Sequence, residues 1–92
     1  MLFTDYDIQM TDAIKVDQEI DTKGTRCPIP LLRAKQALKT MQAGEHLKVL
    51  ATDPSAKDDF DAMLAHLPHD LIDYQVNVEE EKNIYIITIR KG

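Results

Sequence analysis

The chemistry in this chain is concentrated in Gly24-Thr25-Arg26-Cys27-Pro28-Ile29-Pro30, which holds its only cysteine and two of its four prolines. A helical pattern follows at once, beginning Leu31-Leu32-Arg33-Ala34-Lys35. Proline suits the first turn of a helix, because the N–H it lacks would have no partner there. With Cys27 as the N-cap, Pro28 and Pro30 both fall in that turn, and the sulfur sits at the positive end of the helix dipole. That setting favours the thiolate, the reactive form of cysteine. A lone cysteine also fits a buried apolar filler. Three features favour a reactive thiol: the turn residues around it, the helix it opens, and the cations near it in sequence.

The groups that are missing narrow the chemistry. Without a second cysteine there is no internal dithiol cycle. Cysteine hydrolases need a positioned histidine and an oxyanion hole, whereas His46, His66 and His69 all lie far from Cys27 in sequence. A thiol activated by position, with no base to run hydrolysis, suits a group that is held and handed on. Sulfane sulfur, carried as Cys–S–SH, is one such group. Gly24, Arg26, Pro28 and Pro30 would support the cysteine, and Arg33 and Lys35 would be candidate partner contacts. Arg26 and Lys35 also read as ordinary solvated charges. His66, His69 and Asp70 have ligand-type side chains, but Pro68 interrupts them, so no metal is assigned. No cofactor is expected either.

Charge is distributed unevenly. The chain carries a net charge of −5, which argues against direct nucleic-acid binding through phosphates. Between residues 23 and 48 there are six cations (Lys23, Arg26, Arg33, Lys35, Lys39, Lys48) and one anion, Glu45; the remainder has five cations and fifteen anions. This reads either as a solvated helix face or as a basic collar around the cysteine that steers an acidic partner. Ninety-two residues make one domain. No apolar run reaches the roughly 20 residues a membrane helix needs, so membrane insertion is not expected. No basic segment followed by an apolar run opens the chain, so no secretory signal is expected. One cysteine makes no internal disulfide, which points to a reducing, cytoplasmic compartment.

Six elements are expected to position the cysteine. Residues 1–13 read as an irregular extension, and residues 14–92 as the domain. Ile14, Val16, Gln18 and Ile20 alternate with charged residues, the period of a half-buried strand. A helix over residues 28–41 follows, with Leu31, Ala34, Ala37, Leu38 and Met41 as its buried stripe and Gly44 as its stop. Leu47, Val49 and Ala51 mark a central strand. Asp53-Pro54 reads as an N-cap and first helical position. The second helix has Ala56, Phe60, Met63, Leu64 and Leu67 as its stripe, and Pro68 ends it. Residues 72–78 and 84–89 are two further strands around an acidic turn. The order β-α-β-α-β-β, with right-handed crossovers, places both helices on one face of a single sheet.

Gly24-x-x-Cys27-Pro28-x-Pro30, opening a helix in a chain of this order, resembles the Cys-Pro-x-Pro signature of the TusA/SirA-like sulfur-carrier family. Gly44-Glu45, Asp53-Pro54, Asp59-Phe60, His69-Asp70-Leu71 and Ile89-Arg90-Lys91-Gly92 fall in the same order as in that family. The resemblance implies a two-layer α/β sandwich with a mixed sheet of order 1-2-4-3 and an antiparallel last strand. It implies that Cys27 accepts sulfur as a persulfide from a cysteine desulfurase or a rhodanese-like donor. The sulfur would pass to a relay protein or a tRNA-thiolating enzyme, or into sulfur oxidation or cofactor synthesis. Ile29 stands where tRNA-thiolating members carry an acidic residue, Thr25 replaces a usual leucine, and Leu64 falls where some members have a second cysteine. The rival readings are a protein-interaction module with Cys27 incidental, and a thiol redox sensor.

Overall fold

The computed structural model describes residues 15–92; the expected extension and Ile14 lie outside them. The first strand is shorter than its alternation suggests. β1 spans Gln18–Asp21, with only Ile20 buried, and Val16 is exposed. Pairing stops there because Asp17 already closes the ladder: its N–H donates to the His46 carbonyl at 2.9 Å, and its carboxylate accepts the His46 N–H at 2.9 Å.

Helix α1 spans Ile29–Thr40 and buries Pro30, Ala34, Ala37 and Leu38, with Met41 buried just beyond. The expected stripe holds except that Leu31 is only partly covered. Lys91 Nζ donates at 2.6 Å to the Leu38 carbonyl, which also accepts the Met41 N–H, placing a cation at the helix C-terminus. Gly44, at φ +91, takes the turn that follows.

β2 spans His46–Ala51 and buries Leu47, Val49 and Ala51. α2 spans Ala56–Leu64, and its regular hydrogen bonding starts after the expected Asp53-Pro54. The Asp53 carboxylate still caps the entry, accepting the Ser55 N–H at 3.0 Å. Ala56 and Phe60 are fully buried, Met63 and Leu64 pack against the core, and Leu67 lies past the helix end and is exposed. β3 spans Asp70–Glu79 and β4 spans Lys82–Arg90. They form a hairpin whose two turn residues, Glu80 and Glu81, both have positive φ, as a tight hairpin turn requires.

The sheet order is β1-β2-β4-β3, with β1 parallel to β2 and β4 antiparallel to both of its neighbours. This is the mixed two-layer α+β architecture expected. The register lines up Leu71, Ile89 and Leu47 in one row, and Tyr74, Ile87, Val49 and Ile20 in the next. With Ala34, Leu38, Ala56 and Phe60 from the two helices, these residues form one core cluster with partly buried edges. The sheet face away from the helices is mixed: Lys48, Thr88 and Asp73 form one row, Leu50, Ile86 and Gln75 the next. The loops after β1 and β2, both at the same end of two parallel neighbours, are therefore brought side by side. The cysteine sits in the first of them.

Candidate functional site: a thiol at the mouth of an interhelical groove

The loop after β1 is built from hydroxyl and amide bonds. Thr22 is fully buried, and its hydroxyl donates to the Leu50 carbonyl at 2.6 Å. Thr25 Oγ1 donates to the Thr22 carbonyl at 2.7 Å. Gly24, at φ +85, directs its N–H to Thr52 Oγ1 at 2.9 Å. A side chain there would meet open space, so the backbone conformation is what calls for glycine.

Cys27 is exposed, not buried filler. It is also not the helix cap. Ile29 N–H closes a turn onto the Arg26 carbonyl at 2.9 Å, and the Pro28 carbonyl accepts the first helical bond, from Leu32, at 3.0 Å. Pro28 is therefore the N-cap residue, and of the two prolines only Pro30 lies in the first turn. The Cys27–Pro28 peptide bond is cis.

What holds the cysteine comes from the other loop. Asp53 Oδ2 accepts the Cys27 N–H at 2.6 Å, while Oδ1 accepts from the Ser55 amide at 3.0 Å and the Ser55 hydroxyl at 2.9 Å. These bonds, with the charge of Arg26 nearby, hold the Asp53 carboxyl below its ordinary pKa. The Ser55 hydroxyl also lies 3.2 Å from Asp59 Oδ2. Asp59 in turn lines the same groove as the Cys27 thiol. The interaction of its carboxylate with the thiol is the main reason the thiol's pKa is pushed up, with partial desolvation and the negative charge of Asp53 adding to it. Cys27 is thus linked through Asp53 and Ser55 to Asp59, which faces the same groove.

This corrects the basic collar. The charges that set the state of the sulfur are the carboxylates of Asp59 and Asp53, and the resting form is biased toward thiol, opposite to the expected thiolate. The cations clustered in sequence are dispersed by the fold. Arg33 Nη1 donates to the Asp21 carbonyl at 2.8 Å, at the end of β1. Lys23 pairs with Asp21, and Lys48 pairs with Glu19. Arg26 lies in a hollow beside Gly24, Thr52 and Asp53. Lys35 alone of the six lines the groove with Cys27.

That groove runs between the two helices, with a volume of about 570 Å3, and is lined by Cys27, Leu31, Lys35, Asp59, Ala62, Met63, His66 and Leu67. The sulfur is reachable from solvent, beside apolar walls that can receive a partner's side chains. His66 lies on this groove, while His69 is occupied elsewhere: its Nδ1 accepts the Gly92 N–H at 2.9 Å. Among the described residues, no group of three or more His, Cys, Asp or Glu side chains is placed to hold a metal ion. No helix among them is long and apolar enough to cross a membrane.

Asp53, Ser55 and Asp59 were not among the expected site residues. Asp53-Pro54 reads as a helix start, and Asp59 as a dipole-compensating charge. Nothing in local spacing ties them to Cys27; Asp53 reaches it across 26 residues through the pairing of β1 with β2.

A mixed four-stranded sheet backed by two helices, with an accessible thiol on a loop tied to the start of α2, defines a small α+β domain with a single exposed cysteine. The comparisons with known proteins agree. The chain belongs to the TusA family: the family model described as sulfurtransferase TusA matches residues 18–91. The chain is 46% identical over 57 residues to the sulfur carrier protein TusA of Allochromatium vinosum, covering 62% of this chain and 75% of that one. It is 35% identical over 81 residues to the sulfur carrier protein TusA of Pseudomonas fluorescens, covering 88% and 93%. A SirA-like protein of Desulfitobacterium hafniense, known from its crystal structure, superposes with a TM-score of 0.63 at 26% identity, covering 82% of this chain and 97% of that one. As a sulfur carrier, the protein works between a donor and an acceptor of sulfur.

Proposed function

We propose that the chain carries sulfane sulfur as a persulfide on Cys27, receiving it from a cysteine desulfurase or a rhodanese-like protein. It passes the sulfur to a relay or tRNA-thiolating protein, or into sulfur oxidation or cofactor synthesis. The observation that carries this reading is the exposed Cys27 at the mouth of the interhelical groove, its amide pinned by Asp53. An accessible sulfur on a fixed backbone can meet two partners in turn without a large rearrangement. Gly24, Pro28 and Pro30 shape the loop, Arg26 balances Asp53, and Lys35 offers a cation beside the sulfur. Arg33 holds the end of β1 with one nitrogen and keeps the rest of its guanidinium exposed to a partner. The raised thiol pKa weighs against a redox sensor, because sensor cysteines are low in pKa. Residues 14–92 form the carrier domain in this reading, with 1–13 as an addition to it, and the cytoplasm is its compartment.

The test is direct. The full chain is incubated with a cysteine desulfurase and cysteine, and its intact mass is recorded before and after a reductant. The expected result is a gain of one sulfur that the reductant removes and that Cys27→Ser abolishes. No gain with desulfurase, rhodanese or a small persulfide would favour the interaction module.

A further inference from the structure

The hydrogen-bonded chain from Cys27 through Asp53 and Ser55 to Asp59 does more than hold a loop. Asp53 fixes the cysteine backbone, Ser55 presents one hydroxyl hydrogen to both carboxylates, and Asp59 lies in the same groove as the sulfur. We propose that Asp59 is a catalytic residue of sulfur transfer, taking the proton from the Cys27 thiol as that sulfur attacks the donor, and that Asp53 and Ser55 are its positioning residues. The inference rests on the persulfide reading above.

The step balances. The donor arrives as a persulfide anion, with an inner sulfur bonded to an outer one. Cys27 Sγ attacks the outer sulfur, forming a new S–S bond. The donor's S–S bond breaks, and its electron pair stays on the inner sulfur. The proton leaves Cys27 for Asp59 and passes to that departing sulfur. The products are a Cys27 persulfide anion and a donor thiol, with no external oxidant or reductant.

The surroundings suit this role. The groups facing the sulfur are Asp59 on α2, Lys35 on α1, His66 beyond α2 and Asp53 on the neighbouring loop, with Arg26 beside Asp53. Asp59 lines the groove with the thiol, held there through Ser55, and its carboxylate is the chief influence keeping the proton on the sulfur. Lys35 stands on the same groove and can offset the anion that builds up on the transferred sulfur. At rest the carboxylate keeps the thiol protonated; during transfer it is the acceptor for the same proton.

The experiment compares two rates in the full-length chain, each across pH: alkylation of Cys27 by iodoacetamide, and sulfur uptake from cysteine persulfide. Asp59→Asn keeps the shape of the side chain. The prediction is that the two rates move oppositely. Alkylation at neutral pH rises because the thiol ionises more easily. Sulfur uptake falls, on the order of 100-fold, as expected for loss of a general base, and its pH optimum moves upward. Ser55→Ala, which leaves both carboxylates in place, gives a smaller loss in the same direction and decides the matter if Asp59→Asn fails to fold. Uptake that is unchanged, or that rises in step with alkylation, overturns the role of Asp59. Absence of uptake in the unmodified chain would instead overturn the persulfide reading itself.

Discussion

Cys27 owes its state to residues far from it in sequence. Lys23, Arg26, Arg33, Lys35 and Lys39 crowd its sequence neighbourhood, and reading them as its electrostatic environment gives the wrong sign. A local run of charge says little about a site assembled across a sheet. Asp53 shows why: one carboxylate serves as the cap of the α2 entry and as the acceptor for the Cys27 amide. Its lowered pKa makes a prediction with a definite sign. Stability from Asp53 is fully present above the ordinary aspartate value of about 3.9 and is lost as pH falls through the lower folded-state value. Asp53→Asn should therefore lower the urea midpoint at pH 7 but lose less than the unmodified chain on going to pH 3. Parallel acid losses in the two proteins would contradict that assignment.

Elements were legible where periodicity was strong. Ala34, Ala37 and Leu38 on α1, Leu47, Val49 and Ala51 on β2, and Ala56 and Phe60 on α2 are all buried as their spacing requires. Boundaries were less so. β1 loses Val16 because ladder geometry at Asp17, not apolar alternation, ends the strand. α2 drops Leu67, since the helix finishes before Pro68 and turns that side chain toward the groove. α2 is anchored chiefly by Phe60, which is wholly buried between the sheet and its own helix. Phe60→Ala should cost about 3–5 kcal/mol in denaturant unfolding, a large share of the roughly 5–15 kcal/mol typical of a domain. Because α2 forms one wall of the groove, sulfur uptake should become slower under conditions where the variant remains folded.

For the whole molecule, the sheet order was readable only through the family resemblance. Alternating elements predict a sheet with helices on one face, but not which strand lies between which. The link from Cys27 to Asp53 depends on that order, since β1 and β2 must be parallel neighbours for their following loops to meet. The groove also sets how partners approach. Lys35 presents a cation on the groove that holds the sulfur, against a chain that is acidic overall. Lys35→Glu should slow sulfur uptake from a protein donor with an acidic face by roughly 3–10-fold at low salt, with the difference shrinking as salt is added. Uptake from cysteine persulfide should change much less, and equal losses with both donors would place Lys35 in the chemistry rather than in the approach.

The β3–β4 hairpin has a consequence of its own. Val76 and Val78 are exposed near its tip, on a strand that is outermost in the sheet among the described residues. Such an edge is a template for another molecule's strand. Glu79, Glu80, Glu81 and Lys82 crowd the end of it with charge, so that two such edges repel before they can zip together. Acidic residues at the hairpin turn thus guard this edge against pairing with a second copy of itself.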